Sequence, residues 1–303
     1  MLSPVPYRRL SKQLRTRRIV DAAAEPVSLA DYTSTIRMGS LQIPQAVFDV
    51  KIRAARRLCE KYVGQAFVSQ TFNGVMDLPP GLDCGGGSIG SVLARFAGYN
   101  PVALELLNGP LRQVSGIYLT DDTAAIITVD PSAYWVSTAT QPGRVALRQT
   151  AVWPDTLGRT FETFAIQYTG GYTIPFTAAG AVLETLQPHG MVNGSVQRAW
   201  TTSDGQLSTG LLPGTDYYVV GASTYTFGLA LTLAGSAIVT AGTAVGASFI
   251  GDLPSNFLRA ILATAAADFY PEKKKSSRYD VSEAGAIPDA AKEMLATDRV
   301  MNL

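Results

Sequence analysis

At Gly64 the sequence changes period, and that switch restricts the chain to folds in which a long helix runs straight into a strand. From about Pro44 to Val63, the residues Phe48, Ile52, Ala55, Cys59, Tyr62 and Val63 recur at helical spacing and form one apolar face, flanked by Val47 and Leu58. Pro44 falls where a first helical turn accepts proline, and Gly64 supplies the stop. Beyond it, "QAFVSQTFNGVMDL" alternates as a strand and its turn. The helix also carries Arg53, Arg56 and Arg57, which read as the face opposite the apolar one. Asp49 stands four residues before Arg53, and Glu60 four after Arg56. Each such pair adds about 0.2–0.5 kcal/mol to a helix. The cations are therefore partly answered, and the spacing predicts a solvated or subunit-facing polar side rather than a grip on phosphate.

The whole chain is balanced in the same way. Lys plus Arg is 25 and Asp plus Glu is 24, a net charge of +1 over 303 residues. A protein whose main task is holding DNA carries a basic excess, because phosphate neutralisation supplies most of the affinity. Charged residues make up 16% of the chain, below the roughly 25% usual for globular domains. Much of the surface is then uncharged or covered by partners.

Residues 1–24 read as an N-terminal arm, basic at Arg8, Arg9, Lys12, Arg15, Arg17 and Arg18 but followed by no apolar signal region. "EPVSLADYTSTIRMG" starts a helix, with Ser28 as N-cap, Asp31 three residues on, and Gly39 at its end. Short strands are expected at 102–107, 114–120, 125–129, 133–136, 144–148 and 160–168, separated by "NGP", "TDD", "DPS", "QPG" and "WPDTLG". From Thr185 to Gly251 the only charged residues are Arg198, Asp204 and Asp216. Residues 177–251 read as an inserted all-β module, and "TDYYVVGASTYTFGLALTL" as two of its strands around a turn. With so little Lys, its strand edges would be bare in a free monomer.

Helical spacing returns at "LPSNFLRAILATAAADFY". Leu258, Ile261, Leu262, Ala265 and Phe269 form one face, and Ala260, Ala263 and Ala267 a small-residue face that admits a close neighbour. Pro271 ends it. A charged stretch, "EKKKSSRYD", leads to a last short helix after Pro288 with Ala291, Met294 and Leu295 inward, too small to bury itself without a partner groove. The expected architecture is α+β. A bundle of two N-terminal helices and a C-terminal helix joins a small antiparallel β sandwich or barrel, with the inserted all-β domain added. The connector core spans 25–176 and 252–272, and the tail 273–303.

The chain offers little for catalysis. His189, in "QPHGMVNGS", is the sole imidazole, and a triad needs a base beside its nucleophile. Asp121 with Asp122, and Asp155 with Glu162, are the only acid pairs worth weighing for glycoside chemistry. Cys59 and Cys84 have no metal-ligand spacing. "LDCGGGSIG" lacks the Lys-Ser or Lys-Thr and the following helix of a phosphate loop. Trp135, Trp153 and Trp200 suit core or turn packing. No catalytic, cofactor or metal site is assigned, and the chain is not expected to be an enzyme. No apolar run approaches the roughly 18 residues of a membrane span.

In order, "EPVSLADYTSTIR", "AARRLCEKYVGQAFVSQTF", "LNGPLRQVSGIYLTDD", "YWVSTATQPGRVALRQTAVWPD", "FAIQYTGGYT" and "LPSNFLRAILATAAADFY" resemble the head–tail connector (adaptor) family of tailed bacteriophages. "EKYVGQAFVSQTF" and the pair "WPD" with "IQYTGGY" are the most recognisable parts. The resemblance covers roughly 25–175 and 252–272. The 177–251 insert departs from it, and "HGMVNGSVQ", "GLLPGTDYYVVGASTYTF" and "LAGSAI" look like a small β module of phage structural proteins.

The family implies a homo-oligomeric ring, usually a dodecamer, in the virion at the head–tail interface, made in the host cytoplasm. It docks beneath the portal protein, meets a downstream stopper or tail component, and lines part of the channel through which DNA leaves, without sequence-specific binding. Carried onto this chain, Lys273, Lys274, Lys275, Arg278, Ile287, Met294 and Leu295 are the implied portal contacts. Arg53, Arg56, Arg57 and Glu60 lie on the implied ring-interface helix, and the glycine-rich 81–90 loop or the β-turn loops face the next component. No cofactor and no membrane contact are implied. The alternative reading is a carbohydrate- or receptor-binding module carried by the insert.

Overall fold

The computed structural model describes residues 14–36, 43–77, 103–148, 151, 162–242, 244–269 and 287–298. The fold is α+β, built around three hydrophobic clusters: one between helices, one between two sheets, and one inside a closed barrel.

The helical part holds α1 (Leu29–Ile36), α2 (Gln45–Val63), α3 (Ser255–Phe269) and α4 (Asp289–Leu295). Helix α1 opens on a reciprocal cap. The Asp31 amide donates to Ser28 Oγ at 3.1 Å, and the Ser28 amide donates to Asp31 Oδ2 at 2.8 Å. Helix α2 ends where expected, with Gly64 in the left-handed region at φ 75° and its amide donating to the Glu60 carbonyl. Phe48, Ile52, Ala55, Cys59 and Val63 of α2 bury against Phe257, Ala260, Ile261, Leu262 and Ala265 of α3. Removing a large apolar side chain from water contributes about 1.5–3 kcal/mol, so this seam accounts for much of the local stability. The small residues of α3 permit the close approach. Ala260 is fully buried, and Cys59 Sγ of α2 lies 3.4 Å from Thr264 Oγ1. Helix α4 packs on α3, burying Ala291 and Leu295 in the same cluster.

The main sheet is antiparallel. Its strands are β1 (Arg15–Val20), β2 (Gln70–Met76), β4 (Leu111–Thr120), β5 (Ile126–Thr128) and β8 (Phe164–Gly170), in the order β1-β2-β8-β4-β5. A three-stranded sheet, β3-β7-β6, comprises β3 (Leu104–Leu106), β6 (Tyr134–Ser137) and β7 (Gly143–Leu147). Phe164, Ile166 and Tyr168 alternate inward along β8 and share one cluster with Phe72, Leu106, Ile117, Tyr134 and Val145 from both sheets. The stretch read as an arm is therefore partly strand. Arg15–Val20 pairs along β2, from Arg15 opposite Val75 to Val20 opposite Thr71.

Strands β9 (Ile174–Ala179), β10 (Val182–Thr185), β11 (Val196–Thr201), β12 (Asp216–Val220), β13 (Thr226–Ala230) and β14 (Ser248–Ile250) close in the order β10-β13-β12-β11-β14-β9. All its ladders are antiparallel, and β9 with β10 completes the circuit. Phe176, Leu183, Tyr217, Val219, Phe227 and Leu229 fill the interior. Bare strand edges were expected in this module, and closure removes them: each strand has a partner on both sides.

Candidate functional site

Among the described residues, the side chains weighed for chemistry share no common cleft. His189 is fully buried. Its Nδ1 accepts from the Met191 amide at 3.0 Å, its Nε2 lies 3.2 Å from the Thr226 carbonyl, and its ring meets Phe227 edge-on. Those contacts fix the neutral tautomer with the proton on Nε2. Burial lowers the His189 pKa further, Thr226 only partly opposes this, and the Arg112 charge adds to the lowering. Asp121 is exposed and ties its own turn, accepting from the Thr123 and Ala125 amides at 2.9 and 2.8 Å. Glu162 lies 3.6 Å from Arg15. Burial pushes the Cys59 thiol up to about 12, which keeps it protonated. Asp155, Trp153, Cys84 and the glycine-rich loop lie outside the described residues. Among the described residues, no three His, Cys, Asp or Glu side chains are grouped as metal ligands would be.

Two of the tryptophans are placed differently. Trp200 stacks on Phe249 at 4.5 Å and donates to the Gly251 carbonyl, so its face is taken. Trp135 is 62% exposed, with the Arg148 guanidinium 4.6 Å from its ring centre. Tyr134 takes the inward position beside it, so the alternation holds and the core packing expected of Trp135 does not.

The most organised polar feature is the knot around Arg56. Its Nε donates to Glu25 at 2.7 Å, Nη1 to both oxygens of Glu60 at 3.0 and 2.9 Å, and Nη2 to Asp21 and Glu25, each at 3.1 Å. All five of its N–H donors are used. Glu60 also accepts from Arg18 Nη2 at 3.0 Å, the Phe67 amide at 3.0 Å and Gln70 Nε2 at 2.6 Å. Arg57 donates to Asp21, and Arg53 lies 3.5 Å from Glu25. The knot thus ties α2 to β1, β2 and the segment between β1 and α1. Burial alone would lower the Arg56 pKa, but Glu60, Glu25 and Asp21 together hold it raised. Burial would raise Asp21, but Arg57 and Arg56 bring it down to about 2.

Arg56 and Glu60 were expected on a solvated or subunit-facing side, and the structure places both inside the protomer. At 3.6 residues per turn, Arg56 lies only about 40° round the helix from Ile52, within the inward arc. Of the expected pairs, Arg56–Glu60 forms. Asp49 instead accepts from Gln45. Arg53 and Arg57 are about half exposed. Asp21 and Glu25 are the partners that sequence spacing missed.

The implied portal-contacting residues divide. Lys273, Lys274, Lys275 and Arg278 lie outside the described residues. Ile287 and Leu295 are buried in the chain's own helical cluster, and Met294 packs against it. The groove expected from a partner is thus supplied by α3.

A second organised region is the base of the barrel. The Tyr172 amide donates to the Ala66 carbonyl at 3.3 Å, the Thr173 amide to Phe67 at 3.2 Å, and the Ser69 amide to Thr173 at 2.8 Å. The Phe67 ring stacks on Phe257 at 4.2 Å, and Tyr172 meets Phe257 edge-on at 5.3 Å. Arg112 of β4 donates to the Gly171 and Tyr172 carbonyls. Burial lowers its pKa to about 10. A Cβ on Gly190, at φ 63°, would stand 2.1 Å from the Arg112 carbonyl, so only glycine fits beside that strand. Gln187 Nε2 donates to the Asp21 carbonyl at 2.9 Å, which links the barrel base to the knot.

No protein-family model matches the chain, and no curated protein matches it. Solved structures that are similar include a chain of the neck of a native GTA particle computed with C12 symmetry, at 11% identity and TM-score 0.47, covering 95% of this chain and 97% of that one. A chain of the virion of a native gene transfer agent (GTA) particle is 12% identical with TM-score 0.46, covering 95% and 96%. A chain of the neck of an empty GTA particle computed with C6 symmetry is 12% identical with TM-score 0.47, covering 95% and 97%.

Proposed function

We propose that the chain is a structural subunit of a head–tail connector ring, seated beneath a portal protein and lining part of the channel through which DNA leaves. The observation that carries this reading is a convergence. The segments "EKYVGQAF", "YTGGYT" and "LPSNF" bear the connector resemblance and are far apart in sequence. They meet in one buried junction through Phe67, Tyr172 and Phe257. Residues that share a resemblance and also share a packed contact belong to one scaffold rather than to scattered likenesses.

The surface fits assembly. Val192, Leu212, Leu231, Leu233 and Val239 of the barrel module are each at least two-thirds exposed or close to it, at 66–72% for Leu212, Leu233 and Val239 and 65–67% for Leu231 and Val192. Exposed apolar residues on a charge-poor module are the composition of a surface that other subunits cover. Arg53 and Arg57 are the ring-contact candidates that stay accessible, while Arg56 and Glu60 act by holding the helix that presents them. Lys273, Lys274, Lys275 and Arg278 are the portal-contact candidates.

The test is to mix the purified chain with its portal protein and image the product by electron microscopy. Rings stacked on the portal are expected, and replacing Lys273, Lys274, Lys275 and Arg278 together by Glu should abolish the stacking. A chain that stays monomeric with portal at all concentrations would overturn the reading. Undiminished binding by the charge-reversed form would remove the tail assignment alone.

A further inference from the structure

Two regions join the barrel to the helices and sheets. One is the attachment at Thr173. Its amide donates to the Phe67 carbonyl at 3.2 Å, its carbonyl accepts from the Ser69 amide at 2.8 Å, and its Oγ1 donates to the Ile250 carbonyl at 3.2 Å. The other is the loop after β10, residues 187–191. Gln187 Nε2 donates to the Asp21 carbonyl at 2.9 Å, and the Ser69 and Thr71 hydroxyls lie 3.4 and 3.5 Å from Gln187 Oε1. Gly190 lies against the Arg112 carbonyl of β4. His189 holds the same loop to the barrel. Its amide donates to the Thr224 carbonyl at 3.2 Å, and its ring bonds the Met191 amide and the Thr226 carbonyl. Gln187 and Gly190 thus grip the body of the protomer, and His189 between them grips the barrel.

His189 is the chain's single histidine, and histidine is the side chain whose ordinary pKa lets it change charge between about pH 5 and 8. It is fully buried. Nδ1 holds the lone pair that accepts the Met191 N–H, and Nε2–H is spent on the Thr226 carbonyl. A proton arriving at Nδ1 sets donor against donor and breaks the first bond. The charges nearby give it no shelter. From β4 comes Arg112, a second cation, whose field opposes protonation. Glu184 of β10 stands opposite Thr226 but is exposed. Asp21, behind Gln187, has its carboxylate engaged by Arg56 and Arg57. From β13 the ring meets the Thr226 carbonyl and the edge of Phe227.

We propose that residues 187–191 form an acid-released clamp: protonation of His189 frees the barrel to swing about its attachment at Thr173, with barrel and body each still folded. Once the loop lets go, the ring is hydrated and titrates near its ordinary 6.5, whereas in the clamped form burial holds it lower. The closed arrangement is therefore fully favoured above 6.5. As pH falls from there toward the lowered value, the ratio of open to closed rises by up to about tenfold per pH unit. The backbone ladders of the barrel and the bonds at Thr173 contain no titrating group, so they persist. The clamp belongs to a single protomer and stands apart from the connector reading.

The experiment is a distance measurement by pulsed electron paramagnetic resonance on the full-length chain. Spin labels are placed at Val50→Cys of α2 and Leu212→Cys of the barrel module, both exposed positions. With Cys84→Ser, the remaining cysteine is Cys59, whose buried thiol stays protonated. Dilution with unlabelled chain isolates distances within one protomer. One distance is expected at about pH 7.5, and a second population below about pH 6.5 that grows in step with the imidazole titration, read by proton NMR. His189→Asn keeps an acceptor for the Met191 amide but does not titrate, and should hold the single distance throughout. Gln187→Ala weakens the clamp without touching the imidazole. It should move the imidazole midpoint up toward 6.5, a result that decides the matter where the Asn variant does not fold. Imidazole titration without a change in distance overturns the proposal. So does a distance change that persists in folded His189→Asn, or a Gln187→Ala midpoint that stays where it was.

Discussion

The Arg56 knot and the barrel use polarity in opposite ways. In the knot, charge is inside: Arg56 is fully buried and Glu60 nearly so, each held by several partners. In the barrel, charge is almost absent, the interior is apolar, and Leu212, Leu231, Leu233 and Val239 stand on the outside. The first arrangement specifies geometry, because a buried charge is tolerated only where every partner is in place. The second specifies little beyond closure, and leaves apolar side chains on its exterior uncovered by the chain itself. A chain with few charges has concentrated a share of them where they fix how helix, sheet and arm meet.

The comparison breaks most readily at Arg56. Arg56→Met leaves Asp21, Glu25 and Glu60 without their shared cation. It should cost about 3–5 kcal/mol, the range for a buried pair that loses one partner. Urea unfolding of the full chain measures this. A shift under about 1 kcal/mol would mean that the knot is decoration rather than structure.

Acid should separate the two regions by pH. The folded-state pKa of His189 lies below its ordinary 6.5, through burial. Its contribution is intact above that value and declines as pH falls below it, since the unfolded chain then takes up more protons. Asp21 is held at about 2 against an ordinary 3.8, so its contribution is intact above 3.8 and is lost as pH falls through about 2. Amide exchange should therefore show the Met191 amide, bonded to His189, losing protection before the Ala22 amide, bonded to Asp21, does. The reverse order would refute the assignment.

The smallest effect is expected outside the barrel. Leu231→Ser and Leu233→Ser, both at exposed positions, should each change stability by no more than about 0.5 kcal/mol. A larger loss in thermal or urea unfolding would show that these side chains serve the fold of the single chain.

Much of the fold was legible, because its signals are local. The break at Gly64, the Ser28–Asp31 cap and the turn between Asp216–Val220 and Thr226–Ala230 each lie within a few residues of the groups they organise. Strands were found at Leu104–Leu106, Leu111–Thr120, Ile126–Thr128, Tyr134–Ser137, Gly143–Leu147 and Phe164–Gly170, close to where alternation put them. What was not legible depends on distant pairing. Asp21 and Glu25 precede Arg56 by 35 and 31 residues, so no helical spacing announces them. Closure of the barrel rests on β14 meeting β9, Ile250 opposite Ile174. Helix α4 finds its groove on α3, and neither periodicity nor composition says whether such a groove lies within the same chain or on another.

The pairing of Ile174 with Ile250 has one more consequence. The polypeptide departs for the barrel and comes back from it at neighbouring points about 5 Å apart, the usual spacing across an antiparallel pair. A two-residue hairpin turn spans such a gap. The chain thus enters and leaves the barrel by one doorway, with Ile174 and Ile250 side by side.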